Sequence, residues 1–151
     1  MPRSTPTAAT SGVRLVLDTN TALSALLWGG PPERLIDAAL DGQVELAGST
    51  PLLAELQGVL SRAKFSSQLA RRGLRVSDVF DGYAALVLLV TPAGMTPRVT
   101  RDPADDQVLA TALAAQAGLI VSGDAHLLDL KHFQAIPIVT AQEALKRLAV
   151  G

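Results

Sequence analysis

Cysteine is absent from this chain, and histidine occurs only twice in 151 residues. The lack of cysteine excludes disulfide bonds and thiolate metal sites. Two histidines are too few for the usual ligand sets of zinc. Any metal ion would therefore be held mainly by oxygen atoms, which favours Mg²⁺ or Mn²⁺.

Aromatic residues, net charge and long apolar runs are also scarce. Aromatic residues make up 3% of the chain and the formal net charge is −1. These values argue against extensive base stacking and against a generally basic nucleic-acid binder, but they leave room for a local basic strip. The only tryptophan, Trp28, is interpreted as a packing residue in preference to a platform for a base. The longest apolar run, residues 84–90, is too short to span a membrane.

The composition that remains is that of a globular protein, with 48% hydrophobic residues. The chain length fits one domain with its own core. Residues 1–12 are rich in Pro, Ser and Thr, and we expect a flexible N-terminal tail there, followed by a domain over residues 13–151. The tail lacks the apolar core of a signal peptide, so we expect a cytoplasmic protein that does not contact a membrane.

Strand-like and helix-like segments alternate along the domain. The strand-like segments are "VRLVLD", "VELAGS", "LIVSGD" and "IPIV", and helical segments separate them. This alternation predicts a single-domain α/β/α sandwich with a central, mainly parallel sheet. We expect Thr50 to cap the helix that contains Pro51, and Gly118 to end the helix that follows Asp102. The segment "ALVLLV" could end a helix or begin a strand.

Two acidic residues follow strand-like segments directly. Asp18 ends "VLD" and Asp124 ends "VSGD". Ligands of open parallel sheets bind beyond the carboxyl ends of the strands, so the two side chains could be neighbours in a crevice. Each also has a purely structural interpretation, since Asp18 could cap the next helix and Asp124 could be a turn or cap residue.

Glu55 lies on an apolar helical stripe, three residues after Leu52 and four before Val59. A carboxylate on a buried face is unfavourable unless it is paired or bound to a metal ion. Glu55 is therefore a candidate functional residue. The alternative is that it lies at the edge of the stripe and reaches water.

The segment "RDPADDQVLATALAAQAG" contains three further acids. Asp102 fits an N-cap, and Asp105 would then favour the helix dipole from the first turn. Asp106 lies three residues before Leu109 and four before Ala110, on the apolar face. We therefore predict that Asp106, and not Asp105, faces the crevice.

Several segments together resemble the PIN domain family, and in particular its branch of toxins from toxin–antitoxin pairs. These segments are "VLDTN", "PLLAELQGVLSR", "RDPADDQVLATALAAQAGLIVSGDAHLL" and "IPIVTAQEAL". The resemblance covers about residues 13 to 145, with the segments in the same order and spacing. It implies four acids that bind metal and catalyse, and two supporting residues. The acids are Asp18, Glu55, Asp106 and Asp124, and the supporting residues are Asn20 and Ser122.

The resemblance implies an Mg²⁺- or Mn²⁺-dependent endoribonuclease that acts on RNA, forms a homodimer and is blocked by a protein antitoxin. A bound metal ion would supply a hydroxide nucleophile near neutral pH. One metal ion or two would satisfy this chemistry, and Glu55 could be a ligand or a base. Arg101, Arg71 and Arg72 are candidate RNA contacts, although charge runs are commonly no more than solvated helix surface.

Three other functions remain open from the sequence. A phosphatase of the haloacid dehalogenase type would need an acid two residues after Asp18, where this chain has Asn20. A receiver domain would need an acidic pair and a late lysine that are not evident. A non-catalytic adaptor for RNA or protein could share the fold, but the four retained acids count against it.

Overall fold

A computed structural model describes residues 12–94 and 102–148. Its six strands are β1 (Arg14–Leu17), β2 (Glu45–Gly48), β3 (Val87–Leu89), β4 (Leu119–Val121), β5 (His132–Phe133) and β6 (Ile136–Val139). The first four helices are α1 (Thr19–Leu27), α2 (Pro31–Leu40), α3 (Thr50–Leu60) and α4 (Ala63–Ala70). The others are α5 (Val76–Leu86), α6 (Pro103–Ala115), α7 (Ala125–Leu128) and α8 (Ala141–Leu148).

The strands form one sheet in the order β3-β2-β1-β4-β6-β5. All neighbouring strands run parallel except β5, which pairs antiparallel with β6. The prediction of an α/β fold with a mainly parallel central sheet is confirmed. Strand β5 has only two residues and was not predicted, because so short a segment has no periodicity to read. Among the described residues, no helix combines the length and apolarity needed to cross a membrane.

The core has two layers because both faces of the sheet are covered. In β1, Leu15 and Leu17 pack into one apolar cluster with α1, α2 and α8, whereas Val16 packs into a second cluster with α6. Alternate side chains of a strand point to opposite faces, and here both sets are fully or almost fully buried. Burial on both faces explains why β1 is apolar after Arg14.

The structure corrects two predicted helix ends. Ser49, and not Thr50, is the N-cap residue of α3, with extended backbone angles. Helix α6 ends at Ala115, and Gln116 takes the left-handed conformation with φ 51°, so Gly118 is not the residue that stops it. The segment that could have been helix or strand changes from α5 to β3 at Val87.

A buried polar contact fixes α6 against the start of α3. Thr111 Oγ1 donates a hydrogen bond to the Gln107 carbonyl at 2.7 Å. Thr111 Oγ1 also lies 2.8 Å from Ser49 Oγ, and both residues are fully buried. Because the Thr111 proton is already used, Ser49 is the donor in this second bond. The bond holds together the two helices that carry Glu55 and the acids of α6.

Candidate active site

Five carboxylates from four parts of the chain line one cavity at the carboxyl edge of the sheet. The cavity has a volume of about 360 Å³. Its acidic lining consists of Asp18, Glu55, Asp102, Asp105 and Asp124. The acids come from the end of β1, the middle of α3, the start of α6 and the residue before α7. The parallel topology therefore brings together residues that are far apart in sequence.

Asp18 combines a structural role with a place in the cavity. Its Oδ1 accepts a hydrogen bond from the Thr21 amide at 2.8 Å and so caps α1. Its Oδ2 accepts a hydrogen bond from Ser122 Oγ at 2.5 Å. The side chain is 5% exposed. These two contacts fix both oxygens and leave lone pairs available toward the cavity.

Ser122 connects the two strand-end acids. Its hydroxyl donates to Asp18 and accepts a hydrogen bond from the Asp124 amide at 2.9 Å. Asp124 Oδ1 then accepts the His126 amide at 3.0 Å and caps α7. The capping interpretations of Asp18 and Asp124 are thus correct, and both residues also line the cavity. Capping and a role in the crevice are compatible in this geometry.

The expected orientation of Asp105 and Asp106 on α6 is wrong. Asp105 is 9% exposed and lines the cavity. Asp106 is partly buried and is not among the described residues that line it. Asp105 lies three residues before Val108 and four before Leu109, both buried. The prediction failed because α6 is apolar on almost every side, so its sequence did not define which face is turned inward.

The carboxyl group of Asp105 has an altered proton affinity. Burial, followed by the negative charges of Asp124, Asp102 and Asp18 and a side-chain hydrogen bond with Asp124, raises its pKa from 3.8 to about 6. Both burial and nearby like charges favour the neutral form of an acid. Burial is the main cause of the raised pKa, and three neighbouring carboxylates add to it.

Glu55 reaches the cavity from α3 as an exposed residue. Its Oε1 accepts a hydrogen bond from Thr19 Oγ1 at 2.5 Å. Glu55 is therefore at the edge of the apolar stripe, as the alternative interpretation held, and it faces the same cavity as Asp18.

Asn20 lies at the junction of two cavities. It lines the acidic cavity and also a second cavity of about 650 Å³, which is bordered by uncharged groups such as Thr21, Ser24 and Thr140. Asp124 is the other residue that both cavities share. The acidic cavity thus continues into a polar groove toward the start of α8.

Basic residues approach the acidic cavity from the start of α4. Arg62 and Lys64 line it. Arg71 is exposed at the end of α4, and Arg72 Nη1 donates a hydrogen bond to the Leu27 carbonyl at 2.9 Å. Arg71 and Arg72 are not among the described residues that line the cavity. The predicted contact Arg101 and most of the predicted tail, residues 1–11, lie outside the described residues.

Trp28 is not the buried packing residue that was expected. Its side chain is 57% exposed at the end of α1. Its ring contacts the ring of Phe65 in an edge-to-face arrangement, with 5.9 Å between centroids. Phe65 in turn is buried and lines the acidic cavity.

The donor atoms of the cavity suit a hard divalent cation. In the described ranges, no three acidic or histidine side chains are gathered closely enough to hold a metal ion by themselves. Mg²⁺ commonly keeps several water molecules and is bound by only one or two carboxylates. Closely spaced carboxylates with a raised Asp105 pKa fit such a cation, with the more distant acids acting through water.

Comparisons with known proteins agree with this architecture. A family model described as the PIN domain matches residues 14–126. A crystal structure of VapBC2 from Rickettsia felis, bound to a DNA fragment from their promoter, has a similar fold with a TM-score of 0.56. It is 15% identical in sequence, and the match covers 83% of this chain and 97% of that one. No match is found among curated proteins.

The family model spans most of the chain, including β1, α6 and the residues that follow β4. The matched range therefore contains all five acids that line the cavity. On this basis, the chain belongs to the PIN domain family.

Proposed function

We propose that this PIN domain is an Mg²⁺- or Mn²⁺-dependent endoribonuclease and acts as the toxin of a toxin–antitoxin pair. The reaction is hydrolysis of an RNA phosphodiester bond. The acids that carry it are Asp18, Glu55, Asp105 and Asp124, with Asn20, Ser122 and Thr19 as positioning residues. Asp105 takes the role that the sequence had suggested for Asp106.

One observation carries the proposal: five carboxylates and two cationic side chains line the same cavity. Carboxylates alone would repel a phosphodiester. A divalent cation between them would neutralise that repulsion and attract the phosphate, while Arg62 and Lys64 are placed to hold neighbouring phosphates. A purely structural role would not require so many acids at one point.

A bound Mg²⁺ or Mn²⁺ would supply Lewis-acid stabilisation of the phosphoryl oxygens and a water molecule of lowered pKa. The chain itself prepares the site. Ser122 and the Thr21 amide fix the carboxylate of Asp18, and Thr19 fixes that of Glu55. Asp18, Asp105 and Asp124 are the proposed ligands, directly or through water.

Glu55 differs from the other three acids because it is exposed and comes from α3. Its position at the open side of the cavity suits a carboxylate that accepts a hydrogen bond from the attacking water. The hydrogen bond from Thr19 restricts the directions that the Glu55 carboxylate can take.

The similar structure from Rickettsia felis is a VapBC2 assembly, and this supports a protein antitoxin as partner. We propose that the antitoxin blocks the acidic cavity and that the toxin forms a homodimer in the cytoplasm. Exposed Leu88 and Leu89 on the edge strand β3 provide apolar surface for association. Light scattering at tens of micromolar tests the dimer, and a monomer at that concentration would contradict it.

The nuclease activity is tested with purified protein, a panel of transfer RNAs and a messenger RNA. We expect cleavage with Mn²⁺ or Mg²⁺ and none with excess EDTA. Asp124→Asn should remove cleavage, because the amide can still cap α7 but is a poor ligand for a hard cation. Asp37→Asn, at an exposed carboxylate of α2, is the matched control and should cleave normally.

Undiminished RNA cleavage in excess EDTA, by a preparation shown to be free of other nucleases, would contradict the proposal. RNA binding without cleavage under every metal condition would instead identify a non-catalytic adaptor. Hydrolysis of a small phosphomonoester in place of RNA would identify a phosphatase.

A further inference from the structure

A row of aromatic and basic side chains leads away from the acidic cavity along one side of the molecule. It consists of Arg62, Lys64, Phe65, Trp28 and Arg72, and we name it the aromatic–basic strip. Arg62, Lys64 and Phe65 line the cavity. Phe65 contacts Trp28, and Arg72 hydrogen-bonds to the carbonyl of Leu27, the residue before Trp28. The strip is therefore continuous from the proposed catalytic acids to the far end of α1.

Trp28 is held firmly although its ring is exposed. Its backbone amide donates to the Ser24 carbonyl at 2.8 Å, which fixes the end of α1. The planes of the Trp28 and Phe65 rings meet at 79°, with centroids 5.9 Å apart. An edge-to-face contact of this kind leaves at least one face of the indole uncovered by Phe65. The 57% exposure of the side chain agrees with an open face.

The charges around the two rings favour a nucleic acid as the occupant of this face. Lys64 Nζ lies 4.9 Å from the centroid of the Phe65 ring, and Arg72 is anchored next to Trp28. Proteins that hold single-stranded nucleic acid combine cationic groups along the backbone with aromatic rings on which bases stack. Asp18 and Trp28 cap the two ends of α1, which places them roughly 15 Å apart along the helix axis. A short single strand can reach both.

We propose that Trp28 is a stacking platform for a nucleobase a short distance along the strand from the scissile phosphate, with Arg62, Lys64 and Arg72 holding the intervening backbone. The proposal rests on RNA being the substrate, as inferred above. It implies that the segment beside the cleavage point must be single-stranded, since a paired and stacked base could not lie on the indole.

The chain offers a direct measurement, because Trp28 is its only tryptophan. Its fluorescence is recorded while an oligo-uridylate decamer is added in Ca²⁺, with a gel to show that the RNA stays intact. A decamer of the same length with abasic riboses is the matched probe. We expect strong quenching with the uridylate decamer and little with the abasic one, because only the former has bases that stack.

Variants provide a second readout through the anisotropy of a labelled decamer. Trp28→Ala should weaken binding by about 5- to 100-fold, the range expected for one stacked base. Trp28→Phe should recover part of the loss because it restores a ring. Leu40→Ala, which removes another exposed apolar side chain at the far end of α2, is the matched control and should bind normally.

Each outcome separates this proposal from the nuclease proposal. Quenching without cleavage in Mg²⁺ or Mn²⁺ would support the platform and contradict the nuclease. Cleavage without any base-dependent change in Trp28 fluorescence would contradict the platform and leave the nuclease standing. An emission shift that depends on protein concentration alone would assign Trp28 to contact between copies of the chain, and would also overturn the platform.

Discussion

The two edges of the central sheet differ in the partners of their charged side chains. At the amino edge, Arg14 at the start of β1 pairs with Glu45 at the start of β2, with Arg14 Nε 2.7 Å from Glu45 Oε1. The two residues are also partners in the register of the parallel strands. Arg14 Nη1 donates a further hydrogen bond to the Ala115 carbonyl near the end of α6. The charges of Arg14 and Glu45 are thus neutralised by each other.

At the carboxyl edge, carboxylates meet mainly neutral donors and one another. Asp18 accepts hydrogen bonds from an amide and a hydroxyl, and Asp105 shares a hydrogen bond with Asp124. Burial, followed by the neighbouring negative charges, raises the pKa of Asp105 to about 6. At the amino edge, Arg14 and Glu45 are therefore paired within the chain, whereas the carboxyl edge would gain stability from an external cation. This difference points to the carboxyl edge as the functional one.

The largest expected effect separates the two adjacent acids of α6. Asp105→Asn should lower kcat/KM for RNA cleavage by at least about 100-fold, since even indirect supporting contacts of a metal site cost 10- to 100-fold. Asp106→Asn should stay within about tenfold of the wild-type value, because Asp106 is not among the described residues that line the cavity. Cleavage rates on one RNA at saturating Mn²⁺ measure both.

The reverse result would return the third catalytic position to Asp106. An inactive Asp106→Asn and an active Asp105→Asn, both folded by thermal melting, would mean that α6 turns a different face inward when metal and RNA bind.

Asp105 and Asp106 also show which features of this protein can be predicted from its sequence and which cannot. Strand positions were predictable, because short apolar runs such as residues 14–17 are buried on both faces and contain almost no polar residues. The carboxyl-edge positions of Asp18 and Asp124 followed from the order of strands and helices. The sequence did not decide whether Asp105 or Asp106 faces the cavity, because Val108, Leu109, Ala110 and Ala112 are all buried. An all-round apolar helix contains no periodic signal that fixes its rotation.

Exposure of single side chains was the other point that sequence did not determine. Trp28 was expected to pack because large aromatic residues usually do. Whether a ring at a helix end is covered depends on which other elements lie over it. Here the Phe65 ring of α4 contacts the Trp28 ring in an edge-to-face arrangement.

The second prediction concerns stability against pH in the metal-free protein. Folding raises the Asp105 pKa from 3.8 to about 6, so the folded state binds this proton more tightly than the unfolded state does. Ionisation of Asp105 in the folded state therefore lowers the free energy of unfolding. This loss is absent below about pH 4, grows as the pH rises from about 4 to 6, and is complete above that range. Asp105→Asn should therefore be more stable than the wild type at pH 7.5, by on the order of 1–3 kcal/mol.

Urea unfolding in EDTA at pH 4 and pH 7.5 measures this difference. The advantage of Asp105→Asn should shrink strongly at the lower pH. Asp37→Asn, at an exposed carboxylate of α2, is the control that should not show a gain of this size. An equal advantage for Asp105→Asn at both pH values would mean that its effect is one of packing and not of charge.

The third prediction tests whether Asp102 belongs to the fold or to the chemistry. Its Oδ1 accepts the Ala104 amide at 2.9 Å as the N-cap of α6. Asp102→Ala should lower the free energy of unfolding by about 0.5–2 kcal/mol, as expected for a lost cap. The loss in the free energy of unfolding should lie near the lower end of this range, because the substitution also removes a charge that raises the pKa of Asp105.

Asp102→Asn is the matched control, since an amide oxygen can still cap the helix. Thermal melts and cleavage rates on both variants separate the two roles. Asp102→Ala should retain most of its activity per folded molecule. Loss of activity in both variants at unchanged stability would place Asp102 among the residues that act on metal or RNA.

The smallest effect is expected at the amino edge. Glu45→Gln should reduce the free energy of unfolding by less than about 1 kcal/mol, because exposed ion pairs contribute little. The side chains of Arg14 and Glu45 are 39% and 55% exposed. Arg14→Ala should cost more than Glu45→Gln, since it also removes the hydrogen bond to Ala115.

Neither variant should change the stabilisation that Mn²⁺ provides, whereas Asp105→Asn should reduce it. Denaturant unfolding with and without Mn²⁺ compares the three variants. If Glu45→Gln reduced the Mn²⁺ effect as much as Asp105→Asn did, the cation would be acting on the overall charge of the protein, and the two edges would not differ as their contacts indicate.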